Sequence, residues 1–155
     1  MTAAPSTLES SLRRHPFVHG LAEGHVKTLT ACAIEKRYQD GAYLWRQGDP
    51  AETFFLIRDG EISLGIAIPG EGRLHVETVT EGEVLGWSWM LPPYRWHFDA
   101  RTVGPVRAFA FEAARLRRHC ETDIQLHYEL LVRLVPVIGG RLDATRRKLI
   151  DLHVT

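Results

Sequence analysis

The chain has 155 residues, of which 45% are hydrophobic and 25% are charged, as expected for one globular domain with a buried core. Its 19 basic side chains balance 19 acidic ones, and this formal net charge of zero argues against a nucleic-acid-binding surface over the whole molecule. No run approaches the ~20 apolar residues of a membrane span and the N-terminus lacks the apolar core of a signal peptide, so the sequence predicts a cytoplasmic protein.

Residues 1–32 are predicted to form two short helices. The run from Ser6 to Glu9 has the spacing of a capping box that opens the first helix. His15-Pro16 is expected to end it, because the residue before a proline avoids the helical region. A second helix is predicted from Ala22 to Ala31.

Residues 33–111 consist of short extended runs separated by glycine turns such as Asp59-Gly60 and Glu81-Gly82. The predicted strands include TFFLIRD, EISLGIAI and RLHVETVT, with DARTV and PVRAFAF as the last two. Short strands with regular turns favour a sandwich, a barrel or a jelly roll.

Residues 112–155 return to a helical pattern, with a short amphipathic helix predicted from Glu112 to Cys120 and a longer one from Asp123 to about Leu152. Pro136 and Gly139-Gly140 interrupt the longer helix and are expected to kink it.

The longer helix carries a heptad repeat of mostly apolar residues, called the seam below. Its members alternate spacings of four and three: Leu131, Val135, Ile138, Leu142, Thr145, Leu149 and Leu152. Such a repeat is typical of a helix that packs against a second helix, so it predicts a homodimer. The alternative, that the seam packs on the chain's own β-roll, stays open.

The loop from Gly86 to Ala100, GWSWMLPPYRWHFDA, is called the aromatic loop below. It holds three of the four tryptophans of the chain and one arginine. Two interpretations stay open: the indole rings fill the core, or they stack on a planar ligand.

Catalysis is not indicated by any motif. His75 and His97 are isolated, unlike the clustered histidines of a β-roll metal enzyme, and no catalytic triad is legible. Cys32 and Cys120 show no metal-ligand spacing and are interpreted as free, buried thiols. An enzyme is therefore the least favoured of three hypotheses.

The order of helix, β-roll and helix, together with its glycines, resembles the cyclic-nucleotide-binding domain of the Crp/Fnr sensor family. The matching segments are Gly41–Leu44, Gln47–Ala51, Phe54–Leu64, Glu81–Gly86 and Ala100–Val103. The resemblance implies a single domain over residues 1–155, mainly β with flanking helices. It also implies a jelly-roll β-sandwich, a ligand pocket inside the roll and a long C-terminal helix that pairs two subunits.

The aromatic loop departs from that family at two positions. In nucleotide-binding members a glutamate follows the loop glycine and holds the ribose, and an arginine further along holds the cyclic phosphate. Here Trp87 follows Gly86, and tryptophan offers no hydrogen-bond acceptor. The place of the arginine falls on Tyr94, with Arg95 next to it. The planar fork of Arg95 suits a phosphate or a carboxylate.

The first functional hypothesis is a sensor that binds cAMP, cGMP or another planar anionic metabolite in the roll and signals through the C-terminal helix. Its candidate ligand-binding residues are Gly86, Trp87, Ser88, Trp89, Tyr94, Arg95, His97 and Ala100, with Trp96 as a further stacking ring. No metal or other cofactor is predicted.

The second hypothesis is a ligand-free structural or protein-interaction module, in which Trp87 and Trp89 plug the roll and Arg95 pairs with Asp99 or Glu83. In Crp/Fnr regulators a DNA-binding helix-turn-helix follows the long helix. This chain ends at Thr155 without one, so no direct nucleic-acid contact is expected. The basic group Arg141, Arg146, Arg147 and Lys148 is interpreted as complementing the helix dipole.

Overall fold

The computed structural model describes residues 7–154 and consists of an antiparallel β-roll flanked by helices. The helices are α1 (Thr7–Arg13), α2 (Glu23–Cys32), a 3-10 turn (Ser88–Met90), α3 (Ala113–Thr122) and α4 (Ile124–Val154). The strands are β1 (Ala33–Tyr38), β2 (Tyr43–Trp45), β3 (Thr53–Ile68), β4 (Gly72–Val79), β5 (Val84–Leu85) and β6 (Asp99–Glu112). The predicted order of helices and strands is confirmed.

The N-terminal helices lie close to their predicted bounds. Helix α1 ends at Arg13, before His15-Pro16, while Ser6, the proposed cap, lies outside the described residues. Helix α2 begins one residue later than predicted and buries Val26 and Leu29 in the core.

Strands β3 and β6 are each continuous, so the expectation of separate strands on either side of Gly60 and Gly104 was wrong. The pairing of β3 with β6 shifts register around Asp59, which absorbs the turn residues as an irregularity within the strand. A Cβ at Gly60 would lie 2.5 Å from the carbonyl oxygen of Pro105. Gly60 also has φ +102°, so glycine is required where the two backbones approach.

The sheet follows the order β1-β6-β3-β4, with β2 paired to β6 and β5 paired to β3. Because β3 and β6 are long, their two halves pair with different short strands, and the sheet closes around one hydrophobic core. Cys32 and Cys120 are both buried and free, as predicted.

Helix α4 runs without a break through Pro136 and Gly139-Gly140. Its inner face buries Leu126, Leu130, Leu134 and Arg141. The apolar seam side chains lie on another face and are 39–70% exposed. The seam therefore does not pack on the chain's own roll.

Candidate functional site

The aromatic loop begins at a glycine that no other residue could replace without displacing a ring. Gly86 has φ +89°, and a Cβ at this position would lie 2.3 Å from Cζ3 of Trp96. The indole of Trp96 thus lies directly against the backbone of Gly86. Only glycine permits both the left-handed turn and this contact.

Trp96 stacks on Trp45, which β2 contributes from the other side of the roll. The ring centroids are 3.7 Å apart and the planes differ by 10°. Trp45 also stacks on Phe55, with centroids 5.7 Å apart, and its Nε1 donates a hydrogen bond to the carbonyl oxygen of Phe98 at 2.6 Å. Both indoles are more than nine-tenths buried. The pair is therefore a fixed part of the core.

The space left inside the roll beside the aromatic loop has a volume of about 10 Å³. Its lining includes Trp45, Leu64, Trp87, Trp96, Phe98 and Arg141. Such a volume suits at most one water molecule, whereas small-molecule pockets occupy roughly 300–1,000 Å³. The roll interior is closed.

Trp89 and Trp87 have different roles from one another. Trp89 is fully buried and packs on Phe54, with ring centroids 4.7 Å apart, so it is a core residue. Trp87 is half-buried and stacks on His97 at 5.3 Å, beside the small remaining space. Ser88 is buried and its Oγ lies 3.3 Å from Nδ1 of His97.

Arg95 lies on the outer surface, and the expectation that it sits beside the pocket does not hold in this structure. Its Nη1 donates a hydrogen bond to the carbonyl oxygen of Gly48 at 2.9 Å. The segment is extended here, and Arg95 pairs with Pro50. Successive side chains of an extended segment point in opposite directions, so the inward position of Trp96 places Arg95 outside.

The predicted ion pair of Arg95 with Asp99 or Glu83 is likewise replaced by other contacts. The carboxylate of Asp99 accepts a hydrogen bond from Nε of Arg73 at 2.8 Å. The carboxylate of Glu83 accepts one from the backbone N–H of Thr80 at 2.9 Å.

Of the two remaining predicted site residues, Tyr94 lies in the middle of the loop and Ala100 at its end. Tyr94 has φ +57°, and its ring lies 4.2 Å from the guanidinium of Arg117. Ala100 is fully buried opposite Leu64. The structure therefore brings together Gly86, Trp87, Ser88 and His97 around the closed space, and places Tyr94 and Arg95 elsewhere.

Arg141 of α4 reaches this region, and the interpretation of Arg141 as a cation at a helix end was wrong. Its side chain is 7% exposed and forms a short ion pair with Glu77 of β4. Burial lowers the pKa of the Arg141 guanidinium, and the Glu77 carboxylate opposes that shift. A stripe at spacings of four residues, Leu126, Leu130 and Leu134, indicates the inner face of α4 in the sequence, and Arg141 lies on its continuation.

Neither a metal centre nor a membrane span emerges from the described part of the chain. Among residues 7–154, no group of three or more His, Cys, Asp or Glu side chains could hold a metal ion. Within the same residues, every helix is too short or too polar to cross a bilayer.

The fold and the loop define a β-roll domain of the kind found in ligand-sensing regulators. The model of the cyclic nucleotide-binding domain family matches residues 35–123, which is more than half of the chain. The chain belongs to this family, and the resemblance stated from the sequence is confirmed.

The chain also matches a short part of a much longer protein. The chain is 31% identical over 104 residues to glutaminase 1 of Bradyrhizobium diazoefficiens. The match covers 67% of this chain and 16% of that protein.

Two solved structures show the same fold. A Geobacter metallireducens protein assigned to the cyclic nucleotide-binding proteins superposes with a TM-score of 0.79 at 25% identity, over 89% of this chain and 99% of that one. A cyclic nucleotide-binding domain from Methylobacillus flagellatus superposes with a TM-score of 0.75 at 17% identity, over 93% and 81% of the two chains.

Proposed function

We propose that this chain is a non-enzymatic interaction module that forms a homodimer through α4 and does not take up a cyclic nucleotide in its roll. The observation that carries the proposal is the stack of Trp45 and Trp96 against Gly86. It fills the space that a ligand of the aromatic loop would need, and leaves about 10 Å³.

Energetics support a roll that stays closed. Admitting a nucleotide would separate two stacked indoles, whose pairing adds about 0.5–1.5 kcal/mol to the free energy gained from their burial. The phosphate would also lack the arginine of the loop, because Arg95 lies outside the roll and donates to the carbonyl oxygen of Gly48. The position after Gly86 offers an indole N–H instead of a carboxylate for the ribose.

The exposed seam supports the homodimer. The 22 residues from Leu131 to Leu152 correspond to about 30 Å of helix surface at 1.5 Å per residue. A depression of about 440 Å³ lies over Gly139, bordered by Leu142, Thr145 and Leu149. A side chain from a partner helix would fit there as a knob in a hole.

Sedimentation velocity tests the dimer. Wild-type protein is expected at twice the monomer mass, and Leu142→Glu at the monomer mass, because a carboxylate in the middle of the seam would be buried unpaired. Leu142 is 70% exposed in the single chain, so the variant is expected to fold. Leu91→Glu, at a 54% exposed position of the aromatic loop, is the matched control and should stay dimeric. A monomeric wild type, or a dimeric Leu142→Glu, would refute the dimer.

A sensor for cAMP or cGMP is the second candidate function. Family membership favours it, as does the helical turn Ser88–Met90 directly after the Gly86 turn, where free N–H groups could meet a phosphate. This function requires Trp96 to leave the roll. Titration of the wild-type protein with either nucleotide separates the two candidates.

A further inference from the structure

A groove of about 540 Å³ separates the middle of α4 from β4, β5 and the segment around Phe17. Its volume lies within the range of small-molecule sites, roughly 300–1,000 Å³. Val79 and Val84 line it from the roll, and Val132 and Val137 line it from α4. The groove lies outside the roll, and of its lining residues only Arg141 also borders the closed space beside Trp96.

The groove exists because α4 carries two small side chains where it passes the roll. Pro136 and Gly140 are one helical turn apart and both line the groove. A Cβ at Gly140 would meet no atom within 4 Å. An ordinary apolar residue at that position would occupy the space, so the sequence itself keeps the groove open.

One end of the groove carries a desolvated cation with spare hydrogen-bond donors. Arg141 is 6% exposed and lines the groove. Among residues 7–154 its one hydrogen-bond acceptor is the carboxylate of Glu77, which contacts Nη1. A guanidinium has five N–H donors, so Arg141 can bind a second carboxylate.

The arginine at the other end already donates hydrogen bonds from each of its three side-chain nitrogens. Arg133 donates from Nε to the carbonyl oxygen of Phe17 at 2.8 Å, from Nη2 to that of His19 at 3.3 Å, and from Nη1 to Glu129. It holds the N-terminal segment on α4. The two arginines therefore differ: Arg133 donates from all three of its side-chain nitrogens, whereas Arg141, within the described part of the chain, donates from Nη1 alone and has more donors left for an anion.

The acidic side chains of the groove limit the charge of its occupant. Glu77 and Glu83 both line the roll side. They would repel a multiply charged ligand, whereas a single carboxylate can share Arg141 with Glu77.

We propose that this groove binds a small organic monocarboxylate whose apolar body lies between the valines and whose carboxylate contacts Arg141. The proposal does not depend on the closed roll. It is also independent of the dimer, because Gly140 lies two residues from Ile138 of the seam, about 160–200° around the helix.

Isothermal titration calorimetry with 2-naphthoate and its neutral isostere 2-naphthamide tests the charge requirement. We expect 2-naphthoate to bind one molecule per chain, at least about tenfold more tightly than 2-naphthamide, because the amide loses the charged hydrogen bonds. Absence of naphthoate binding, or equal affinity for both compounds, would overturn the proposal.

Substitutions in the groove test the location. Gly140→Leu should fill the groove and weaken 2-naphthoate binding at least about tenfold, since leucine favours the helix and occupies the ligand's space. The matched control is Gly24→Leu on α2, where a Cβ also meets nothing within 4 Å. Unchanged affinity in Gly140→Leu, or an equal loss in Gly24→Leu, would place the site elsewhere.

A third variant tests the role of Arg141 without removing it. Glu77→Gln keeps a hydrogen-bond acceptor beside Arg141 but removes the competing negative charge. We expect 2-naphthoate to bind more tightly to this variant and 2-naphthamide to bind unchanged. Weaker naphthoate binding would contradict the contact with Arg141.

Discussion

The roll beside the aromatic loop and the outer face of α4 are both rich in apolar side chains, but only the first is covered. In the roll, Trp45 and Trp96 are 7% and 5% exposed. On α4, Leu142 and Leu149 are 70% and 68% exposed. The fold has thus filled the space where its family places a ligand and left uncovered the surface where a second subunit would pack.

In a sensor, a ligand pocket in the roll would be coupled to the helix that carries the seam. A ligand pocket and a dimer helix can act together only if the pocket opens. With the space in the roll filled, the helix keeps its exposed seam but has no open ligand site beside the aromatic loop to respond to. The function of this chain is therefore expected to reside in α4 and its two faces.

The largest loss of stability is expected from a substitution that opens the closed space beside the aromatic loop. Trp96→Ala should lower the free energy of unfolding by about 3–5 kcal/mol, because it deletes a buried ring and leaves a cavity. Urea unfolding measures this loss. Trp87→Ala, at a half-buried position of the same loop, should cost only about 1–2 kcal/mol. Equal losses in the two variants would mean that Trp96 is not the plug.

A smaller loss of stability is expected from a substitution on the inner face of α4. Arg141→Met should cost about 2 kcal/mol, because Glu77 then loses its partner. The usual cost of breaking a buried pair is higher, but Glu77 is 32% exposed. The double variant Glu77→Leu and Arg141→Met should recover most of the loss.

The control for Arg141 is an exposed pair on the same helix. Arg147→Met removes the partner of Asp143, where the arginine side chain is 75% exposed. It should change the free energy of unfolding by less than about 0.5 kcal/mol. A loss in Arg147→Met as large as in Arg141→Met would show that the two faces of α4 do not differ.

The smallest change in stability is expected from the pH dependence of His15, which lies beside the roll. His15 is buried, and its Nε2 donates to the carbonyl oxygen of Ile57 at 3.0 Å while Nδ1 accepts from the N–H of Phe17 at 3.2 Å. Burial lowers the pKa of His15 from its ordinary 6.5, and its hydrogen bonds to backbone carbonyls oppose this. The folded state thus favours neutral His15.

The free energy of unfolding should therefore have its full value above about pH 6.5. It should decline as the pH falls below that value, because the unfolded chain then binds a proton that the folded chain does not. Each pH unit in that window removes at most about 1.4 kcal/mol. His15→Gln should flatten the decline and the exposed-site variant His19→Gln should not, as chemical unfolding at several pH values would show. An unchanged slope in His15→Gln would contradict this assignment.

The sequence was sufficient to predict the fold, but not to predict which side chains fill the interior of the roll. Glycines such as Gly86 mark turns by local backbone conformation, which a sequence shows directly. Which tryptophan fills the roll depends on contacts between distant segments, since Trp96 meets Trp45 across 51 positions of the chain. The hypothesis that Trp87 and Trp89 plug the roll therefore missed the stacked pair of Trp96 and Trp45, although Trp89 is a core ring and Trp87 borders the closed space.

The same distinction applies to the arginines. The place of Arg95 in the loop predicts a ligand contact, but the alternation of an extended segment directs its side chain outward because Trp96 points inward. Arg141 could be placed only by deciding which of two apolar stripes of α4 faces the roll. The seam is the more regular repeat in the sequence, whereas the inner stripe that leads to Arg141 is the one that the roll buries.

A thermal-shift titration of the wild-type protein with cAMP and cGMP tests the closed roll most directly. A nucleotide that binds only the folded state would add about 2.7 kcal/mol at ~100 times its dissociation constant, an easily seen shift. We predict no shift with either nucleotide. A saturable shift that disappears in Arg95→Ala would contradict this account, and would show that the loop rearranges to bring Arg95 to a nucleotide in the roll.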